Sequence, residues 1–169
     1  MPDPKSSAAD ERSNCIIALG SNLGDKVANI DKAISLLTET GDVKLVDRSR
    51  NYATEPWGKT DQDWFINAVI DVTTSLPPKA LLARCKEIER RMGRAQTEKW
   101  GPRIIDLDLL VYGNVTMDDP VLVLPHPHIG ARAFVLAPLM DIAPDRAIAG
   151  KSVRDMYAAI DATGVRAVD

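Results

Sequence analysis

The hydrophobic and polar positions along the chain predict the strands of one sheet. Residues 15–19 form a short apolar run that stops at a glycine, and residues 104–112 form a longer one. Residues 65–74 alternate between two faces, as expected of a strand with one face against a core. Residues 43–52 are strand-like at their start, and residues 121–124 predict a fourth clear strand that a proline closes.

Apolar residues at helical spacing predict helices between these strands. One stripe begins after the turn at residues 20–25 and ends at Gly41, and a second begins after Pro78 and ends at Gly93. A short helix is expected over residues 131–140, although Pro138 would strain it. Ser152, three residues before an aspartate, is typical of the cap that opens a final helix. The two stripes contain Val27, Ile30, Ile34 and Leu37, and then Leu81, Cys85, Ile88 and Met92.

The order of these elements predicts the fold class. Residues 53–63 and 113–120 look like loops that join strand to strand, which favours an α+β fold with a mostly antiparallel sheet over a parallel one. We expect one domain over residues 15–169 that ends in a helix, preceded by a flexible extension at residues 1–14.

Composition and charge exclude several classes of protein. The 169 residues are 45% hydrophobic and 27% charged, and their net charge of −3 argues against nucleic acid held by bulk electrostatics. No apolar run approaches the length of a membrane span, so we expect a cytoplasmic protein. Cys15 and Cys85 are expected to be small buried residues.

Two acidic residues on one predicted strand are the first candidates for chemistry. Asp106 and Asp108 are separated by one residue, so both side chains project from the same strand face. Neighbouring carboxylates repel unless a cation lies between them, and magnesium typically takes one or two carboxylates together with phosphates. A solvated strand edge remains the alternative for this pair.

Residues before and after this strand add cations and aromatic groups. Arg94, Lys99, Trp100 and Arg103 precede it, which suits a metal-bound polyphosphate but also a salt-bridged loop. After the next strand, His126 lies between two prolines and near Arg132, whereas His128 is interpreted as a surface residue. The segment from Gly20 to Gly24 fails the patterns of phosphate-binding loops and is interpreted as a structural turn.

Taken together, these segments resemble the hydroxymethyl-dihydropterin pyrophosphokinase family of folate biosynthesis. The most specific match is Trp-Gly-Pro followed by Arg-x-x-Asp-x-Asp. The matching segments recur in family order over residues 15 to about 145. They are residues 18–24, 52–58, 65–69, 89–94, 99–109 and 124–134.

The resemblance implies a ferredoxin-like fold and a reaction in which the hydroxymethyl oxygen attacks the β-phosphorus of ATP and AMP leaves. It implies that Asp106 and Asp108 hold two magnesium ions, and that catalysis also uses Arg94 and Arg103. Further implied nucleotide contacts are Lys86, Glu89, Trp100, Leu109, His126 and Arg132. The implied pterin contacts are Thr54, Glu55, Pro56, Trp57, Phe65, Asn67 and Phe134, with the two phenylalanines stacked on the ring and Asn67 at its edge.

Two other classes of protein remain open on the sequence. A non-catalytic ferredoxin-like module that binds a nucleotide or a pterin would not need the acidic pair. A different magnesium-dependent transferase would share it. If the chain does what the resemblance implies, its partners are the substrates ATP and hydroxymethyl-dihydropterin. We expect no nucleic-acid or membrane partner, and we expect a monomer.

Overall fold

A single antiparallel sheet dominates the computed structural model, which describes residues 12–55, 63–93 and 104–168. The long strand β1 (Ser13–Ser21) lies in the interior of the sheet. The remaining strands of this sheet are β2 (Val43–Arg48), β3 (Asn51–Thr54), β4 (Phe65–Thr74), β5 (Asp106–Tyr112) and β10 (Val165–Val168). Their order is β10-β3-β4-β1-β5, and β2 pairs with the part of β4 that β3 leaves free.

Two helices cover one face of the sheet. They are α1 (Lys26–Thr38) and α2 (Pro78–Arg91), and the predicted stripe residues Ile30, Ile34 and Leu37 are buried on the first. The Asp25 side chain accepts a hydrogen bond from the Ala28 N–H and caps α1. Every second residue of β1, β4 and β5 enters this core, which contains Cys15, Ile17, Leu19, Ala68, Ile70, Val72, Leu107, Leu109, Leu81, Cys85 and Ile88.

The opposite face is covered at one end. The helices α3 (Ala133–Ile142) and α4 (Val153–Ala158) contribute to a second core with Ile16, Val69 and Leu110 of the sheet. Beyond this core, the strand positions on the same face are polar or small except for the ring of Phe65. This end of the face is where the candidate site lies.

Most of the predicted elements are confirmed, and the strand Phe65–Thr74 has the predicted bounds. Ser152 accepts a hydrogen bond from the Asp155 N–H and opens α4. Pro138 lies buried inside α3. The two cysteines are buried, as predicted.

Several predictions at the ends of elements were wrong. Residues 53 and 54 were assigned to a loop, but they complete β3 because both pair with β4. The strand predicted at residues 121–124 shortens to β7 (Val123–Leu124), which pairs only with β6 (Met117–Asp118) and lies outside the main sheet.

The predicted C-terminal helix is not the last element. A hairpin with two residues in each strand, β8 (Ala147–Ile148) and β9 (Lys151–Ser152), precedes α4. The strand β10 follows α4. The strand β10 pairs with β3 at the sheet edge. It has only four residues and none is fully buried, so its alternation is too short to predict a strand. In the described ranges, no helix is long and apolar enough to cross a bilayer.

Candidate active site

The two carboxylates of β5 lie on the face of the sheet that α1 and α2 leave free. Asp108 is exposed and Asp106 partly exposed, whereas Leu107 between them is fully buried on the other face. Their partners across the strand pair are Gly20 and Ala18 of β1. Because these partners have almost no side chain, the surface beside the carboxylates stays open. The shared face predicted from the spacing is therefore confirmed.

The donor set suits a magnesium ion that completes its coordination with phosphate. Within residues 12–55, 63–93 and 104–168, no group of three or more histidine, cysteine or acidic side chains could hold a metal ion. Two carboxylates on one strand face, one of them exposed, match the coordination of magnesium, which takes one or two carboxylates, waters and substrate phosphates. A structural zinc site would need four protein ligands, so the pair does not suit that metal.

A buried amide lies on the next strands of the same face. Asn67 of β4 pairs with Gly20, and its Nδ2 donates a 2.8 Å hydrogen bond to Oγ1 of Thr54 on β3. Both side chains are buried. A Cβ atom on Gly20 would lie 2.7 Å from Oδ1 of Asn67, closer than side chains normally approach. The amide is thus held between a hydroxyl and a glycine.

Gly20 is the residue of this site that the sequence interpretation missed. It was assigned to a structural turn, but β1 continues to Ser21 and makes Gly20 a strand residue. Within the same segment, Gly24 has a φ of 73° and does lie in the turn. A glycine that directly extends an apolar strand was the available signal, because glycine in a strand often marks a close approach.

Two phenylalanines lie on different elements, and Phe65 is the one beside this amide. Phe65 begins β4, two residues before Asn67 and on the same face, and its ring lies 3.7 Å from the position of a Cβ on Gly20. Phe134 is in the first turn of α3, and the guanidinium of Arg132 lies 5.8 Å from its ring centroid. Both rings are only partly buried, so a flat ligand could reach them.

His126 lies close enough to Asp108 and Arg132 to respond to their charges. Burial lowers the pKa of His126 below its usual value, the negative charge of Asp108 opposes this shift, and the positive charge of Arg132 adds to it. Nδ1 of His126 accepts a hydrogen bond from the His128 N–H at 3.1 Å. The imidazole is therefore neutral near pH 7 and carries its proton on Nε2, which makes it a hydrogen-bond donor. His128 is exposed, as predicted.

Glu89 lies behind β5 rather than beside its carboxylates. It is buried on α2, and its Oε2 accepts a 2.8 Å hydrogen bond from the Leu107 N–H. Oε1 lies 3.8 Å from Nζ of the half-exposed Lys86. Leu109 belongs to the same strand and is buried on the same side as Leu107. Glu89 thus fixes the strand that carries the two aspartates.

Of the other expected site residues, the structure describes Glu55. Glu55 is exposed just after β3, and its N–H donates to the Gly164 carbonyl at 3.3 Å. The remaining expected contacts lie outside the described residues, and these are Pro56, Trp57, Arg94, Trp100 and Arg103.

Comparison with known proteins places this chain in a family. A sequence model described as 7,8-dihydro-6-hydroxymethylpterin-pyrophosphokinase matches residues 16–144. A 2-amino-4-hydroxy-6-hydroxymethyldihydropteridine pyrophosphokinase of Methylorubrum extorquens is 46% identical over 153 residues, which cover 90% of this chain and 97% of that protein. One of the same name from Pseudomonas aeruginosa is 40% identical over 88% of this chain and 93% of its own length.

Solved structures show the same fold at low identity. An HPPK-DHPS in complex with substrates has a TM-score of 0.74 and 15% identity, over 92% of this chain and 46% of the solved one. The HPPK-DHPS of Plasmodium falciparum with pteroate has a TM-score of 0.67 and 17% identity, over 88% and 43%. This chain therefore spans about half the length of the solved chains.

Proposed function

The chain belongs to the 7,8-dihydro-6-hydroxymethylpterin-pyrophosphokinase family, and from this premise we propose which of its residues carry the reaction. The chain transfers pyrophosphate from ATP to the hydroxymethyl group of hydroxymethyldihydropterin, as its family and named relatives do. The bond between the β-phosphorus and its oxygen to the α-phosphate breaks, and AMP leaves. The new bond joins the β-phosphorus to the hydroxymethyl oxygen, which loses its proton.

Asp106 and Asp108 are the proposed ligands of two magnesium ions. Bound there, the ions would neutralise and orient the phosphates of ATP. Support for this assignment comes from the shared strand face, the exposure of Asp108 and the small residues opposite both carboxylates. Asp108 would also accept the proton of the hydroxymethyl group, as the family resemblance implies.

The pterin would lie over the amide and between the two aromatic rings. Phe65 and Phe134 would stack on its two faces, and Asn67 would form hydrogen bonds with the ring edge. The hydrogen bond from Nδ2 of Asn67 to Thr54 leaves Oδ1 facing the strand position of Gly20. The amide oxygen is then available to accept from a ring N–H. Thr54 and Glu55, together with Pro56 and Trp57, complete the proposed pterin contacts.

The phosphates would be bound by arginine cations and by the neutral imidazole of His126 as a hydrogen-bond donor. His126 can donate from Nε2, and Arg132 lies between it and Phe134 in sequence. Arg94, Trp100 and Arg103 are proposed contacts on the ground of the family resemblance. Lys86, Glu89 and Leu109 are proposed nucleotide contacts on the ground of the family resemblance alone. Glu89 and Leu109 are buried on the other face of β5, where Glu89 acts through the Leu107 N–H.

The observation that carries these assignments is the register of three neighbouring strands. It aligns Asp106 with Gly20 and Gly20 with Asn67, so that the proposed metal ligands and the proposed ring contacts share one face. Charge neutralisation and alignment are the main tools of phosphoryl transfer, and this face provides groups for both.

The experiment is to measure the nucleotide product formed from ATP and magnesium, with and without hydroxymethyldihydropterin. AMP formed only with the pterin is the expected result. ADP would indicate a conventional kinase, and the absence of turnover would indicate a binding module. The same assay with magnesium replaced by a chelator tests the metal, since activity that survives chelation would contradict the proposed role of the aspartates.

A further inference from the structure

The C-terminal end of α3 is tied to the sheet by one carboxylate with several donors. Asp141 accepts hydrogen bonds from the Arg50 N–H at 3.0 Å, from Nε at 3.3 Å and from Nη2 at 3.1 Å. It also accepts from the Tyr52 hydroxyl at 2.9 Å. Arg50 donates to that hydroxyl as well, at 2.9 Å. We call these three side chains the Asp141 anchor.

The anchor is not what holds the helix to the sheet in general, since apolar packing already does this. Val135, Leu136 and Leu139 of α3 are buried in the second core. A carboxylate in the last turn of a helix is also electrostatically unfavourable, because the helix dipole places partial negative charge there. Apolar contacts are non-directional, however, whereas hydrogen bonds fix the position of a helix along and around its axis.

The ionisation of Asp141 agrees with this directional role. Burial raises its pKa, but the hydrogen bonds from Arg50 and from Tyr52 outweigh burial, and the pKa lies below its usual value. The carboxylate is therefore charged at neutral pH, and its bonds to the guanidinium are charge-assisted.

The elements that the anchor joins are the two sides of the proposed pterin slot. Phe134 is in the first turn of α3, the helix that ends with Asp141. Tyr52 pairs with Asn67, and Thr54 of the same strand pairs with Phe65. A shift of α3 relative to β3 would therefore change the separation between Phe134 and the Phe65 ring.

We propose that Asp141 is a positioning residue for pterin binding, which sets the gap between Phe65 and Phe134 by fixing α3 to β3. This inference rests on the proposed function, in which the two rings stack on the pterin. Stacking is sensitive to such a gap, since a displacement of about 0.5–1 Å forfeits a quarter to a half of the contact energy of the atoms involved.

The composition of the chain offers a direct probe of the slot. The chain has two phenylalanines, and both belong to it. Protein labelled throughout with 4-fluorophenylalanine should therefore give two ¹⁹F resonances, which a Phe65→Leu variant assigns. Adding hydroxymethylpterin to the wild-type protein should shift both.

The test compares Asp141→Asn and Arg50→Gln, neither of which adds a phenylalanine, with a matched control, Asp145→Asn. The control also removes an aspartate from an arginine pair, because Asp145 accepts from Arg154 at 3.0 Å, but it lies on the exposed surface after α3. We expect both anchor variants to move or broaden the Phe134 resonance and to weaken pterin binding about tenfold. The KM for ATP should change less than twofold in all three variants.

Two outcomes separate failure of this inference from failure of the proposed function. If the anchor variants lower the melting temperature but match the control in pterin affinity and in both ¹⁹F resonances, the anchor only stabilises the fold and the inference is wrong. If the wild-type protein shows no shift with the pterin and forms no AMP, the proposed function itself is wrong.

Discussion

The two faces of the sheet formed by β1, β4 and β5 differ although the same strands build both. On the face under α1 and α2, Leu19, Ala68 and Leu107 are buried within one apolar core. One residue away on each strand, the other face carries Gly20, Asn67 and Asp108. The comparison shows how a strand with a period of two can secure its position with one set of side chains and present chemistry with the other.

The comparison also explains the buried carboxylate of Glu89. It lies on the apolar side of β5, where an unpartnered charge would be destabilising, and it accepts from the Leu107 N–H. Glu89 therefore fixes the backbone of β5 from the apolar face, while the opposite face of the same strand carries Asp106 and Asp108. Changes on one face should alter stability, and changes on the other should alter activity.

The largest effect is expected on the open face. Asp106→Ala and Asp108→Ala should each reduce the rate of AMP formation about 10³-fold or more, since the developing phosphate charge loses its metal-mediated neutralisation. The melting temperature should stay near that of the wild type, because Asp108 is exposed. Steady-state AMP formation and thermal denaturation measure the two quantities. The exposed Asp118 supplies the control variant Asp118→Ala, and a comparable loss there would show that the effect is not specific to the pair.

The next largest effect is expected on stability, at Leu107, which lies between the two aspartates and faces the apolar core. Leu107→Ala should lower the free energy of unfolding by about 2–5 kcal/mol, because Leu107 is fully buried and the core fills the cavity only in part. Urea denaturation measures this change. Val121→Ala is the control, since Val121 is 67% exposed and its truncation should cost less than about 0.5 kcal/mol. A loss of activity without a loss of stability in Leu107→Ala would contradict the division between the faces.

A smaller and more selective effect is expected at Gly20, which pairs with Asn67 on one side and with Asp106 on the other. Gly20→Ala should push the Asn67 amide out of place, because the added Cβ would meet Oδ1 at 2.7 Å. The KM for the pterin should rise about tenfold, and the KM for ATP should change little. In the control Gly130→Ala the nearest atom is the flexible Met156 thioether at 3.4 Å, so pterin affinity should be kept. Equal effects on both substrates would argue against a pterin-specific role for Asn67.

The smallest effect is expected away from both faces, where Asp42 pairs with Arg84 at 2.8 Å. Hydrogen bonds from Arg84 and Thr40 lower the pKa of Asp42 to about 2. Because the folded-state pKa lies below the unfolded one, the pair stabilises the fold above about pH 4 and loses this contribution as the pH falls towards 2. Asp42→Asn should cost about 1 kcal/mol at pH 7. Urea titrations should show the gap from the wild type narrowing below pH 4, and a constant gap would refute the linkage.

The parts of the fold and site that could be predicted are those that local sequence encodes. The strand Phe65–Thr74 and the shared face of Asp106 and Asp108 both follow from a period of two. Helix α2 follows from its stripe and from Gly93, whose φ of 85° ends it.

The parts that were missed depend on residues far apart in the chain. Arg50 and Asp141 are 91 residues apart, and no local pattern indicates that they meet. The role of Gly20 requires knowing that Asn67 lies across from it, which only the register of β1 and β4 provides. Strand β10 forms because β3 offers it a free edge, and its own four residues give no clear signal.

The most direct measurement is a crystal structure of the protein with magnesium, a non-hydrolysable ATP analogue and hydroxymethylpterin. We expect metal density between the phosphates and the carboxylates of Asp106 and Asp108, with the pterin ring between Phe65 and Phe134. Carboxylates that face bulk water, with both ligands bound elsewhere on the protein, would contradict the assignment of the open face as the active site.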